Sequence, residues 1–299
     1  MTFTLDPAST LSSDDAAAVR SLAARTAERD GAPPLSDDAL LRLGEPTREH
    51  LLLRRRGEPS AIEGYAQLAR EPSGNVAEVL GDAQAVEQLL AEVERHGLPV
   101  TVWSHGQASP VASVATARGY RSVRTLWQLR RALSPGEFRD SVASSAPSTL
   151  EGITIRPLSD DVEEQQRMLA VNAAAFATHP EQGSWTMHDV HARMQQPWFD
   201  PNGLLVAVND ANDVLGFHWT KVHPDRIGEV YVLAVSPDAQ GRKLGSALLL
   251  AGLRHLALQN TSSVSLYVDD DNTAAMELYE RYGFTRFERD TQLRKVATA

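Results

Sequence analysis

The chain has no cysteine among its 299 residues. That absence excludes a disulfide framework, a thiolate metal site and a cysteine-bound acyl intermediate, and it suits a cytosolic compartment. Positive charge is also short: 29 Lys and Arg stand against 39 Asp and Glu, a formal net charge of −10. A nucleic acid would gain no general electrostatic support from such a chain, and cationic or neutral ligands are favoured only weakly. No apolar run approaches the ~20 residues that a membrane helix needs. The segment from Met1 to Ala8 has neither the basic start nor the apolar core of a signal peptide. A cytoplasmic chain without a nucleic-acid or membrane partner is expected, acting as a monomer. What remains is ordinary globular material, 42% hydrophobic and 23% charged, long enough for two domains that each bury a core.

Residues 134–149 are rich in Ser, Pro and Ala and read as a linker. The halves on either side repeat one another. With Gly119 placed over Gly283, Val100 falls on Val264, Tyr120 on Phe284 and Gln128 on Gln292, without a gap. In the same register the helix-like run 83–96 lies over 247–260. The strand around Glu78 resembles the one around Glu229, but aligning them breaks that register, so the first copy lacks about a dozen residues between strand and helix. Two domains are therefore expected, residues 1–140 and 150–299. Each half reads as strand, helices, three strands, helix, strand, helix and a final strand pair, the alternation of a mixed α/β sheet. In the second half strands are expected over 153–156, 204–208, 214–222, 229–235 and 264–268, with helices over 245–258 and 273–282.

The segment missing from the first copy carries the chemistry of the second. A strand ending at Val235 and the breaker pair Ser236-Pro237 lead into Gln240, Gly241, Arg242, Lys243, Leu244, Gly245 and Ser246, and then into an apolar helix. The first N–H groups of a helix lack intrahelical partners and carry partial positive charge, so such a turn suits phosphate oxygens. Downstream, Asn272 precedes Thr273, Ala274, Ala275, Met276 and Glu277 as an N-cap would. Tyr279 follows seven residues later, two turns or ~10.5 Å along the same face. A capped helix with a half-buried tyrosine is the plain alternative. Glu229 opens the preceding strand, on the face that alternation shares with Tyr231 and Leu233. A lone glutamate at a strand start is usually solvated.

This ordered set resembles the GNAT family of acetyl-CoA-dependent N-acetyltransferases. The resemblance implies two tandem α/β domains, each a mixed, mostly antiparallel sheet flanked by helices, with acetyl-CoA as co-substrate and no metal. Gln240 and Gly245 match the family's loop; its middle glycine is here Lys243, with Gly241 and the charges of Arg242 and Lys243 as the expected compensation. The implied acetyl-CoA cradle comprises Leu233, Ala234 and Val235, residues 240–246, and Asn272 through Glu277. Glu229, eleven residues before Gln240, takes the place of the general base, and Tyr279 that of the acid for the departing thiolate. The first copy has Ala108 and Ala115 where the second has Asn272 and Tyr279, so it is expected to lack acetyl transfer chemistry.

The segments 179–186, 198–203 and 216–223 are unusual for a plain GNAT domain. With the tandem arrangement they resemble a branch of the family that acetylates the free α-amine of a cysteinyl group carried on glucosaminyl-inositol. That resemblance implies substrate contacts at Glu181, Lys221, Glu229 and Tyr267, and at Asp37 in the first half. Sheet packing is the plain alternative for His218, Trp219 and His223, and the two histidines are read that way. A zinc site at His179 and Glu181 lacks supporting ligand spacing. Two alternatives stay open: a GNAT enzyme for another small amine or a protein N-terminus, and a non-catalytic acyl-CoA sensor.

Overall fold

The computed structural model describes residues 3–71, 74–134, 150–177 and 182–297. Most of the expected linker, and both His179 and Glu181, lie outside the described residues. The first half runs β1 (Phe3–Ala8), α1 (Ser13–Asp30), α2 (Asp37–Leu41), β2 (Glu49–Arg55), β3 (Glu58–Glu71), β4 (Gly74–Gly81), α3 (Ala83–Arg95), β5 (Val100–Ser104), α4 (Pro110–Ala117) and β6 (Arg121–Ala132). The second runs β7 (Ile153–Pro157), α5 (Val162–Ala175), α6 (Met187–Met194), β8 (Leu204–Asn209), β9 (Val214–Val222), β10 (Ile227–Val235), α7 (Leu244–Leu258), β11 (Ser263–Asp269), α8 (Thr273–Arg281) and β12 (Thr285–Lys295). Each half ends in one long strand rather than the expected pair; an unbroken alternating run such as Arg121–Ala132 holds no turn residue to split it.

Two compact units emerge, and neither is contiguous in sequence. One comprises Met1–Trp127, Asp269–Asp271 and Glu288–Ala299; the other comprises Gln128–Val268 and Asn272–Phe287. In the first unit the strand order is β1-β2-β3-β4-β5-β12, antiparallel except for the parallel pair β4 and β5. Alternation along β2 sends Leu51 and Leu53 to one face, with Val86, Leu89 and Leu90 of α3, and Leu52 to the other, with Val19 and Leu22 of α1. The N-terminus of α3 is closed by its own Asp82, whose carboxylate accepts from Ala85 N–H at 2.8 Å. An anion is disfavoured at a helix end already occupied by a carboxylate.

In the second unit the order is β6-β11-β10-β9-β8-β7, with β10 and β11 parallel and β7 to β10 successively antiparallel. One face packs Phe217, Trp219, Val232 and Ala234 against Met168 and Val171 of α5 and Val190 of α6. The other packs Ala207, Leu233 and Val235 against Leu244 and Leu248 of α7. In the first turn of α5, Glu164 is buried and accepts from Arg156 at 2.5 and 3.0 Å and from Ser159 N–H at 2.8 Å and Oγ at 2.6 Å. The Arg156 hydrogen bonds outweigh burial, and together with those from Ser159 they pull its pKa down to about 2.

Candidate active site

The centre of the second unit's sheet is irregular in two ways. The ladder between β10 and β11 runs from Ile227–Ser263 to Val230–Leu266 and stops there, although both strands continue. At the same level the pairing of β10 with β9 slips, from Val230–Thr220 to Val232–Trp219, so Tyr231 is a bulged residue. The bulge changes which side chains share a face. Tyr231, Val232 and Ala234 lie with the aromatic core, and Leu233 lies on the opposite face with α7. The expectation that Leu233 shares a face with Glu229 fails for that reason; a strict two-residue period does not survive an inserted residue.

The slip and the parting of the strands turn backbone donors of β10 towards a side where the β11 ladder has ended. Ser236 N–H donates to Leu215 O at 2.9 Å. Antiparallel pairing alternates, so the N–H groups of Ala234 and Val232 also face β9, while those of Leu233 and Val235 face the side that β11 has left. Two N–H groups on an open strand edge can polarise a carbonyl oxygen placed between the strands.

Glu229 lies just before the parting and is 7% exposed. Lys221 stands opposite it on β9, also buried, with its ammonium 5.1 Å from the Trp198 ring centre and 5.3 Å from that of Tyr231. His223 reaches Glu229 from the end of the same strand, with Nε2 2.5 Å from Oε2. Burial alone would raise the carboxyl pKa; the His223 hydrogen bond and the positive charges of Lys221 and His223 hold it below the ordinary carboxylate value. A buried carboxylate kept ionised is suited to taking a proton.

Around this pair Trp185, Trp198, Phe199, Trp219 and Tyr231 form an aromatic wall, with Trp198 and Tyr231 only 4.9 Å apart between centroids. Arg193 of α6 stacks over Trp185 at 4.0 Å and donates to the Tyr231 hydroxyl at 3.0 Å. The Trp198 and Tyr231 rings of this wall attract the Lys221 ammonium to their faces.

The loop preceding α7 turns on two residues in left-handed conformation, Gly241 at φ 77° and Lys243 at φ 61°. Lys243 is the N-cap of α7 and makes no side-chain capping bond; the first intrahelical bond is Ala247 N–H to Lys243 O. The N–H groups of Leu244, Gly245 and Ser246 therefore have no intrahelical acceptor, which is the arrangement that suits a phosphate. Gln240, Gly241, Arg242 and Lys243 are exposed. A methyl at Gly245 would lie 3.8 Å from Val235 Cγ2 and 3.7 Å from Leu278 Cδ2, so the end of β10, the start of α7 and the flank of α8 meet at this glycine.

Asn272 caps α8, accepting from Ala275 N–H at 3.2 Å, and Thr273, Ala274 and Ala275 supply its first turn. Met276 and Tyr279 form the buried side of this helix. The Tyr279 ring meets Phe284 edge-on at 5.8 Å, and burial raises its phenol pKa above the usual value. Tyr267 on β11 is exposed, with its hydroxyl accepting from Gln128 Nε2 at 2.8 Å. Asp37 is the first residue of α2 in the first unit, partly buried, after its N-cap Ser36. Glu181 lies outside the described residues. No cluster of three metal-ligating side chains occurs among the described residues, nor any helix long and apolar enough to cross a membrane.

His218 packs beneath α7, with Nδ1 2.8 Å from Leu248 O. His223 does not behave as a packing residue, contrary to expectation. Its contact with Glu229 spans the turn at Pro224, and only the hairpin register brings the two together.

Residues 170–284 match the family model of the acetyltransferase (GNAT) family. A mycothiol acetyltransferase of Thermomonospora curvata is 43% identical over 282 residues, covering 91% of each chain. One of Nocardia farcinica is 40% identical, covering 92% of each. Among solved structures, a tandem GNAT protein from the clavulanic acid biosynthesis pathway superposes with a TM-score of 0.70 at 16% identity, over 100% of this chain and 99% of that one. A GCN5-related N-acetyltransferase of Sphaerobacter thermophilus gives 0.64 at 23% identity, over 98% and 95%. These two share the fold, a mixed α/β arrangement of sheet flanked by helices, and the first of them is a tandem GNAT protein.

Proposed function

This chain belongs to the mycothiol acetyltransferase family, and we propose that it transfers acetyl from acetyl-CoA to the cysteinyl α-amine of cysteinyl-glucosaminyl-inositol, completing mycothiol. The observation that carries the mechanism is the ionised Glu229 buried just before β10 and β11 part, on the strand whose Leu233 and Val235 N–H groups, further along, face the parted side. Glu229 accepts the proton of the substrate ammonium, directly or through one water, and the neutral amine attacks the thioester carbonyl. The N–H groups of Leu233 and Val235 stabilise the charge that develops on the carbonyl oxygen. Tyr279 gives its proton to the departing sulfur. The first turn of α7 and the Gln240–Ser246 loop hold the pyrophosphate, and the first turn of α8 flanks the pantetheine arm. Lys221 and Tyr267 present a cation and a hydroxyl to the sugar or inositol oxygens.

The reaction proceeds by direct attack, since the chain has no cysteine to carry the acetyl group. An α-amine titrates at ~7.7–8.0, so about a tenth is neutral at pH 7. The base then has a modest task compared with one serving a lysine at ~10.4. Turnover of acetyl-CoA with a panel of amines tests the reading. A strong preference for the cysteinyl pseudodisaccharide is expected. Equal rates with simple amines would make this a general acetyltransferase, and binding of acetyl-CoA without turnover would make it a sensor.

A further inference from the structure

We propose that His223 is the positioning residue of Glu229: it donates from Nε2 to one carboxylate oxygen, leaving the other for the substrate amine and keeping the buried group ionised before each turnover. The inference rests on the reading of Glu229 as the base. Three observations support it. The contact is short, 2.5 Å between His223 Nε2 and Glu229 Oε2. A carboxylate is acceptor-only, so Nε2 carries the proton. The backbone of His223 is fixed by its turn, where its N–H donates to Ile227 O and its carbonyl accepts from Arg226 N–H, each at 2.9 Å. Finally, the partners differ in environment: the His223 side chain is 32% exposed and that of Glu229 only 9%.

The groups around Glu229 define what His223 adds. From β9 it is faced by Lys221 and His223, and their charges act on it. On β11 the residue opposite is the uncharged Ser265, whose hydroxyl donates to Gly228 O at 3.4 Å. Tyr231 follows on β10. His223 supplies a hydrogen bond to the carboxylate, and Lys221, opposite on β9, adds its positive charge. Without His223, burial would act on the carboxylate opposed mainly by the Lys221 charge.

The test is the pH dependence of kcat, with acetyl-CoA and the pseudodisaccharide saturating, in His223→Leu and His223→Gln. In the leucine variant the acid limb should move to higher pH, giving a deficit below the limb that shrinks as pH rises. Glutamine retains an N–H donor and should recover part of the shift, with acetyl-CoA affinity unchanged in both. A thermal midpoint for each variant, and the glutamine profile, separate this effect from misfolding. A leucine variant whose limb overlays that of the wild type, with any loss independent of pH, would overturn the positioning role alone. Glu229→Gln with an unaltered profile would instead remove the base assignment, and the role of His223 with it.

Discussion

Tyr279→Phe removes one oxygen from a ring that otherwise stays where it is. The side chain is 7% exposed and packs edge-on to Phe284, contacts that phenylalanine reproduces. The fold should therefore change little. In the proposed reaction the lost hydroxyl is the proton source for the leaving thiolate. General acid catalysis contributes ~10²–10⁴-fold, or about 2.7–5.4 kcal/mol at ~1.36 kcal/mol per decade. Burial raises the phenol pKa, so Tyr279 keeps its proton across the assay range and is always able to donate. The same shift makes it a poor acid towards a thiolate of pKa ~8.5, so the loss should fall near the lower end, about 10²-fold. Single-turnover release of CoA is the assay, because slow product release would otherwise mask the chemical step. Acetyl-CoA affinity by calorimetry and the thermal midpoint should stay close to wild type. A wild-type single-turnover rate would remove Tyr279 from the mechanism; a loss confined to acetyl-CoA binding would make it a contact residue.

Glu229→Gln should lose rate most at low pH and regain it as the amine deprotonates in solution; a loss independent of pH, measured from pH 6 to 9, would make Glu229 a substrate contact only. Lys243→Gly relieves a left-handed lysine at φ 61°, a strain of roughly 1–2 kcal/mol, against an unfolded-chain entropy cost of about 0.5–1 kcal/mol. Stability should hold or rise slightly, while acetyl-CoA binding weakens a few-fold at low salt and less at high salt; binding improved at both would show that the lysine charge contributes nothing. For Glu164, whose folded pKa is depressed to about 2, the linked stability is present above the unfolded value of ~4.3 and lost as pH falls towards 2. Glu164→Gln should cost up to about 3 kcal/mol in denaturant melts at pH 7 and nearly nothing at pH 2; an equal cost at both would refute the ionic origin.

Much of the second unit is legible in its residues. Strands expected over 214–222 and 264–268 occur at Val214–Val222 and Ser263–Asp269, and the helices expected over 245–258 and 273–282 at Leu244–Leu258 and Thr273–Arg281. Apolar periodicity, the Asn272 cap and the Gly241 turn carry that information locally. The Tyr231 bulge is invisible to alternation, since nothing in Val230-Tyr231-Val232 marks an extra residue. His223 eluded the sequence because its partner lies across a turn, and diagonal neighbours are fixed by register rather than spacing. The lysine at φ 61° was likewise illegible, because the loop imposes a conformation that lysine itself disfavours.

The strand β12 sets an order on how this protein can be made. Residues 291–295 pair with β5, so the first unit closes its sheet with the last strand of the chain. A ribosome adding ~5–20 residues per second needs about 8–33 s to travel from the end of β6 to β12. Throughout that interval the β5 edge, with Val100 and Val102 buried in the finished fold, waits without its partner. An unpaired strand edge invites pairing with another chain. Nascent chains held at this stage should thus need a chaperone, and the amino-terminal half produced alone should aggregate until a peptide carrying the β12 sequence is supplied.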